Sequence, residues 1–496
     1  MVLFSIGFVG ARCVLSKDIK KYFGLGLYLS VAGILAAGCV LHNAVLFMVF
    51  AGAVMLITAS SRIEVLCRLT ILVVMIPNVS QGITIGGLYV TTISTPVVLS
   101  FAALIACYVR RGAQQQRNLT AEDALVFLLM LCFGIGAVRA GSFTGVQRTF
   151  FTMALELGLP YFVYRRFVHN RTEFAHIVAV LAGSALILSF VAICEAKLHW
   201  SIYDIIYTNQ FAGVFNSRNV KLRAGFLRAP ASFSDSTAFA IFEIIGIFAV
   251  ISSRRFFRTG LLWSGSIALA VLGLIAAQSR GANLGLLFGL FLIVLVRRRY
   301  VLAGAVAGGG AAIVALLLAI APFNPTIASF MGAEKHVGTD QDYRQTLLRR
   351  GLQVGMEHPI LGDDITRVTV QMADIKQGDG IVDFVNSYLS IFLNSGLVGL
   401  GLFIALVIVI VTKIFRFEGK SVDKTFTKSQ MFVMGALGSE LLALTFTPVI
   451  YERNAFLLMI TLAGCRNVFL NRPSKEKSGI KIDRSPYLVT NGERFA

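Results

Sequence analysis

The run Gln278-Ser-Arg280-Gly-Ala-Asn283-Leu-Gly-Leu-Leu-Phe-Gly-Leu-Phe-Leu-Ile-Val-Leu-Val296-Arg297-Arg298-Arg299 decides the fold. Between one arginine and a block of three, residues 283–296 carry no charge and almost no polar side chain. Such a stretch has no polar face to offer water, so it belongs inside a large core or a bilayer. A second uncharged run, 301–320, follows the arginine block directly. Apolar run, basic turn, apolar run is the pattern of two helices crossing a membrane, with the turn on the side where basic residues collect.

The pattern repeats along the chain. Hydrophobic residues make up 56% of the 496, charged residues only 14%, and the mean hydropathy is +0.76. A soluble protein of this size has about a quarter of its residues charged. The apolar runs predict fourteen helices, over 23–41, 43–59, 64–80, 87–109, 124–138, 150–166, 176–195, 237–252, 260–278, 283–296, 301–320, 387–411, 430–447 and 453–470. The fold class is therefore all-α, a polytopic membrane bundle of about 12–14 transmembrane helices with one large extramembrane loop.

Short turns such as Arg110-Arg111, Arg165-Arg166, Arg254-Arg255 and Arg297–Arg299 then all fall on one side, which the positive-inside tendency assigns to the cytoplasm. The predicted organisation is a cytoplasmic N-terminus (1–22), N-terminal spans (23–195), a basic periplasmic loop (196–236), central spans (237–320), a large periplasmic loop (321–386), C-terminal spans (387–470) and a cytoplasmic tail (471–496). In Met1–Lys21 the charges follow the apolar tip, an order opposite to that of a cleaved signal peptide. The net charge of +19 is mostly on the cytoplasmic side, where it faces an anionic leaflet; it does not mark a nucleic-acid partner.

The seven cysteines lie in spans or on the cytoplasmic side, so no disulfide framework is predicted for the loops. The six histidines show no ligand spacing, and neither metal nor cofactor is expected. Asp340-Gln-Asp342 has the form of a metal–nucleotide-sugar motif, but on the periplasmic side it reads as a helix N-terminus. Gly308–Gly310 reads as close helix packing through small residues. Glu156, Glu243 and Glu440 fall inside spans, where carboxylates are paired or functional.

The informative charges are basic residues on the opposite side. Loop 196–236 carries Lys197, Arg218, Lys221, Arg223 and Arg228 against Asp204 and Asp235. Arg280 lies in a turn only a few residues long, at the membrane surface. The 321–386 loop places Arg344, Arg349 and Arg350 within seven residues. A helix from Asp340 to about Met356 would set Leu348, Leu352 and Met356 in one row beginning at Arg344, with Pro359 ending the helix and Gly362 allowing a turn. Guanidinium groups stay charged and bind phosphate oxygens in a fork, so arginines from three segments meeting at the surface suit a lipid pyrophosphate. The alternative for each arginine is a lipid headgroup or a carboxylate of the same loop.

The order of four stretches resembles the O-antigen ligase / Wzy-type polysaccharide polymerase superfamily. They are Lys221-Leu-Arg223-Ala-Gly225-Phe-Leu-Arg228-Ala-Pro, Ser279-Arg280-Gly281-Ala282, Arg344 with His358-Pro-Ile-Leu-Gly362, and Asn386-Ser-Tyr-Leu with Gly396-Leu-Val-Gly399. The resemblance covers about residues 215–410. It implies a GT-C-like inner-membrane glycosyltransferase working without metal on a glycan carried by undecaprenyl pyrophosphate. It also implies roles: Arg223, Arg280 and Arg344 as the catalytic arginines that hold and stabilise pyrophosphate, and Arg218, Arg228, Arg349, Arg350, Asp383 and Asn386 as substrate-binding residues. The implied partners are the lipid-linked oligosaccharide, the bilayer, a chain-length regulator and a flippase. Ligases of this kind have His before the Asn of the fourth stretch; here Val385 stands there, leaving Asp383, His336 and His358 as candidate bases. That departure favours a polymerase over a ligase. A flippase or transporter would show two related halves with matching broken helices, and no such repeat is visible.

Overall fold

The computed structural model describes residues 2–110, 119–140, 143–210, 222–223, 225–324, 327–328, 340–376, 382–417, 424–447 and 453–470. Its helices are α1 (Val2–Val14), α2 (Leu25–Val40), α3 (Ala44–Thr58), α4 (Arg62–Met75), α5 (Thr95–Val109), α6 (Ala121–Gly136), α7 (Phe143–Met153), α8 (Leu159–Phe167), α9 (Arg171–Leu198), α10 (Asp204–Gln210), α11 (Ser236–Ser252), α12 (Gly260–Ala277), α13 (Arg280–Val296), α14 (Tyr300–Ile320), α15 (Asp340–Gly355), α16 (Ile365–Gln371), α17 (Ser387–Phe417), α18 (Lys424–Ala443) and α19 (Arg453–Leu470). Two hairpins interrupt them, β1 (Ser80–Ile85) with β2 (Leu88–Ser94) and β3 (Leu222–Arg223) with β4 (Phe226–Leu227).

Helix α9 is the axis of the bundle. Asn170 starts it by accepting from the Glu173 amide, and after twenty-eight helical residues His199 stops it in a left-handed conformation. Of its most apolar window, 83% is buried, against α1, α4, α11, α12 and α18. Arg171–Leu198, Gly260–Ala277, Tyr300–Phe323 and Ser387–Lys413 are each long and apolar enough to cross a membrane. At 1.5 Å per residue, about twenty residues suffice for the ~30 Å hydrocarbon core. The chain is a helical membrane protein.

Most predicted spans are found within a few residues of their expected bounds, as with 260–278 (Gly260–Ala277) and 453–470 (Arg453–Leu470). The span expected at 87–109 is a correction. Its first eight residues belong to the β1–β2 hairpin, which turns at Gly86–Gly87 and pairs Ser80 with Ser94; the helix starts only at Thr95, with Pro96 in its first turn. Threonine, isoleucine and valine alternate there and suit a strand as well as they suit a lipid-facing helix. The segment 1–22 holds α1, whose Phe4, Phe8 and Ala11 are buried. Gly308 and Gly309 are also corrected. A side chain at either would meet open space, and only Gly310 approaches a neighbour, Leu287. Helix α14 is peripheral, with 11% of its window buried, and presents its apolar surface outward.

Helix α17 is broken rather than bent. Gly396 has φ 64° and ψ −165°, a conformation closed to other residues, and an added Cβ would collide with the Ile360 carbonyl. The break frees the amides of Leu397 and Val398, which donate to the carbonyls of Pro359 (2.8 Å) and Ile360 (3.2 Å). The Asp363 amide donates in turn to Leu393 O at 2.8 Å. The turn 359–363 thus plugs the break, so the third and fourth motif stretches pack directly on each other.

Candidate functional site

Helices α12 and α13 are joined by two residues. Gln278 takes the left-handed conformation that ends α12 (φ 51°), and Ser279 leads directly into Arg280, the first residue of α13. Arg280 is half-buried at a helix N-terminus, where the backbone dipole adds to its own charge and both favour an anion. Gly281 follows because nothing larger fits: an added Cβ would lie 2.7 Å from the Cβ of Phe446.

The basic loop docks on the same junction. Its β3–β4 hairpin turns at Gly225, and Arg223 donates from Nη1 to the Gln278 carbonyl at 2.9 Å. Just beyond it, the Ala229 amide donates to Ala276 O at 3.1 Å. Arg228 reaches from Nη2 to the Thr237 hydroxyl at 3.4 Å, at the start of α11.

Arg344 arrives from the large loop onto Phe446. Its guanidinium lies 5.8 Å from the Phe446 ring centre, and Nη1 is 3.5 Å from the Phe446 carbonyl. Gly281, next to Arg280, and Arg344 therefore both lie against the same residue, Phe446. Beside Arg344, the Tyr343 hydroxyl donates to Asp383 O (3.0 Å) and accepts from the Asp383 amide (2.9 Å). Burial pushes the Tyr343 phenol above its ordinary value, with the hydrogen bond to Asp383 opposing and the Asp383 charge adding. It keeps its proton and serves as a two-sided clamp.

The exit of the large loop is tied to the turn that carries Phe446. The Ser387 amide donates to Leu444 O at 2.9 Å, its hydroxyl to Thr447 O, and the Tyr388 hydroxyl to Leu441 O at 2.7 Å. Three separate segments, 278–281, 343–344 and 383–388, converge around residues 441–447, and a fourth, 222–228, docks on the first of them.

Not every predicted site residue joins them. Arg350 turns into its own loop, with Nε 3.3 Å from Asp374 and Nη2 3.2 Å from Gln371 O. Arg349 is exposed. Asn386 spends its side-chain oxygen as a helix cap, accepting from the Tyr388 (3.0 Å) and Leu389 (3.2 Å) amides. Leu348, Leu352 and Met356 are exposed, while the same helix buries Leu347, Gly351 and Val354 against Leu389 and Phe392. His358 faces the buried Asp363 at 3.5 Å, beyond the C-terminal end of α15. The eleven residues from Arg344 to Gly355 put that end about 16 Å from Arg344. Of the candidate bases among the described residues, Asp383 is the one in contact with Tyr343, the neighbour of Arg344. Arg218 and His336 lie outside the described residues.

Sequence reading missed Phe446, Tyr343 and Gln278. Phe446 is one more aromatic at the end of an apolar run, and its only signal is Pro448 marking the end of a helix nearby. Gln278 was passed over as part of a turn.

Residues 265–404 match the family model described as O-antigen ligase. The match runs from α12 through Arg280, Arg344 and the 359–363 plug to the broken helix α17, and it leaves the Arg223 hairpin and Phe446 outside. No curated protein matches the chain. The chain carries an O-antigen ligase family segment, as its last three motif stretches indicated.

Proposed function

We propose that this member of the O-antigen ligase / Wzy-type superfamily is a polysaccharide polymerase. It moves a glycan from undecaprenyl pyrophosphate onto a lipid-linked repeat unit at the periplasmic face of the bacterial inner membrane. The observation that carries the reading is that Arg223 bonds the Gln278 carbonyl two residues before Arg280, while Arg344 lies on Phe446, which packs against Gly281 next to Arg280. In the transfer, an acceptor hydroxyl oxygen bonds to the anomeric carbon and the carbon–phosphate oxygen bond breaks. The electron pair leaves on pyrophosphate and the hydroxyl proton goes to a base. Charge accumulates on the leaving group, and fixed cations placed there before the reaction lower the barrier with no reorganisation at the moment of transfer. Arg280 adds the N-terminal dipole of α13. Asp383, whose backbone amide and carbonyl are both held by the Tyr343 hydroxyl, is the candidate base for that proton. Val385 supports polymerase over ligase.

Deleting the gene and analysing lipids by sidedness tests the reading. A polymerase loss leaves single repeat units on lipid at the outer leaflet, a flippase loss leaves them inside, and a ligase loss leaves long chains still on lipid. Arg223→Ala, Arg280→Ala and Arg344→Ala should each abolish polymer at normal protein level, and Arg297→Ala, at the opposite end of α13, should do little. Normal polymer in all three would remove the site.

A further inference from the structure

The Arg223 hairpin is short, and a two-residue pair of strands has little stability of its own. The end of α9 supplies what holds it. Glu195, one turn before the end of the helix, is fully buried and uses both carboxylate oxygens on backbone amides, Oε1 from Ile202 and Oε2 from Ala231, each at 2.8 Å. These amides bracket the segment that carries Arg223 and Arg228. Ala231 needs such a hold. Its φ of 47° is unfavourable for a residue with a Cβ and persists only where the surroundings over-determine it. Ser232 adds to the hold, giving its hydroxyl to Val74 O (2.5 Å) and accepting from Tyr207 at 3.0 Å.

His199, four residues after Glu195, grips the other end. Its Nε2 lies 2.8 Å from the carbonyl of Gly225 in the hairpin turn, and its ring is stacked over Phe226 at 6.3 Å. A carbonyl can only accept, so Nε2 carries the proton. Phe226 pairs with Arg223 across the hairpin, and cross-strand partners share a face, so His199 braces the face from which Arg223 projects.

We propose that Glu195 and His199 are positioning residues that set the Arg223 guanidinium against the Gln278–Arg280 junction and so preorganise pyrophosphate binding. This rests on the reading of the arginines as a pyrophosphate site. Glu195→Gln keeps the volume but turns one acceptor into a donor facing an N–H, so one of the two amides is opposed instead of bound.

The test is equilibrium binding of undecaprenyl pyrophosphate to the full-length protein in lipid nanodiscs. Wild type, Glu195→Gln, Arg223→Ala and the double variant form one cycle; His199→Ala and His199→Gln are measured beside it. Glu195→Gln is expected to weaken binding about tenfold, and to change nothing further once Arg223 is gone. His199→Ala should weaken binding as well, and His199→Gln should restore it, because its side-chain amide can still reach Gly225 O. His199 is exposed, so its variants fold even if Glu195→Gln does not. Equal losses from Glu195→Gln with and without Arg223 would overturn the proposal, as would unchanged binding in His199→Ala. If Arg223→Ala binds like wild type while Arg280→Ala and Arg344→Ala do not, the positioning inference falls and the pyrophosphate site stands. If all three arginine variants bind like wild type, both fall.

Discussion

The two ends of α15 carry the same residue type to different uses. At the N-terminal end, Arg344 leaves its own loop, lies over Phe446 and sits beside the Tyr343–Asp383 clamp. Six residues on, Arg350 stays within the loop, bound to Asp374 and to the Gln371 carbonyl. Further along, His358 faces Asp363 in the turn that plugs the break in α17. One helix therefore joins the candidate site to the plugged break in α17. In a loop with nine carboxylates, packing decides which neighbours each guanidinium meets.

The largest effect is expected from disturbing the Arg344 end of α15 without touching an arginine. Gly281→Ala places a Cβ 2.7 Å from Phe446, which must shift and take with it the surface under Arg344. A displacement near 1 Å costs about 10²-fold in rate when geometry is the source of rate. Polymer formation should fall by that order at normal protein level, read by gel analysis of the polysaccharide. Activity near wild type would mean that Phe446 does not set the spacing of Arg280 and Arg344.

A smaller effect is expected from Tyr343→Phe. The phenol contributes packing and two hydrogen bonds to Asp383, and the ring remains after the change. Losing a bridging hydroxyl costs about 1 kcal/mol, or roughly tenfold at most, if Asp383 must be held to accept a proton. Turnover should drop while undecaprenyl pyrophosphate binding is kept. Loss of binding instead would make Asp383 part of the pyrophosphate contact.

How much of this was legible beforehand follows from what each feature costs. The spans could be read because burying or exposing twenty apolar residues is a large effect written residue by residue. The helix at Asp340–Gly355 could be read from Pro359 and Gly362. The β1–β2 hairpin could not, since Ile-Thr-Val patterns serve both states. The arginines at 223, 280 and 344 stood out by their charge on the uncommon side. Their support did not, because Phe446, Gln278 and Glu195 acquire meaning only through contacts between segments far apart in sequence. Asn386 is the converse case, a conspicuous polar residue in a motif whose side-chain oxygen caps a helix.

The smallest effect is expected from Arg350→Ala, at the other end of α15. The Arg350 side chain is 39% exposed and that of Asp374 56%, so water screens the pair and its loss should cost within about 1 kcal/mol. The bond to Gln371 O adds a brace between α15 and α16 that water can replace at that exposure. Thermal stability in detergent should shift slightly, and polymer amount and chain length should not change. If Arg350→Ala abolished polymer as Arg344→Ala is expected to, the ion pair with Asp374 would describe only the protein without substrate. The lipid-linked glycan would then have to draw Arg350 out of its loop, and the site would extend along the whole of α15.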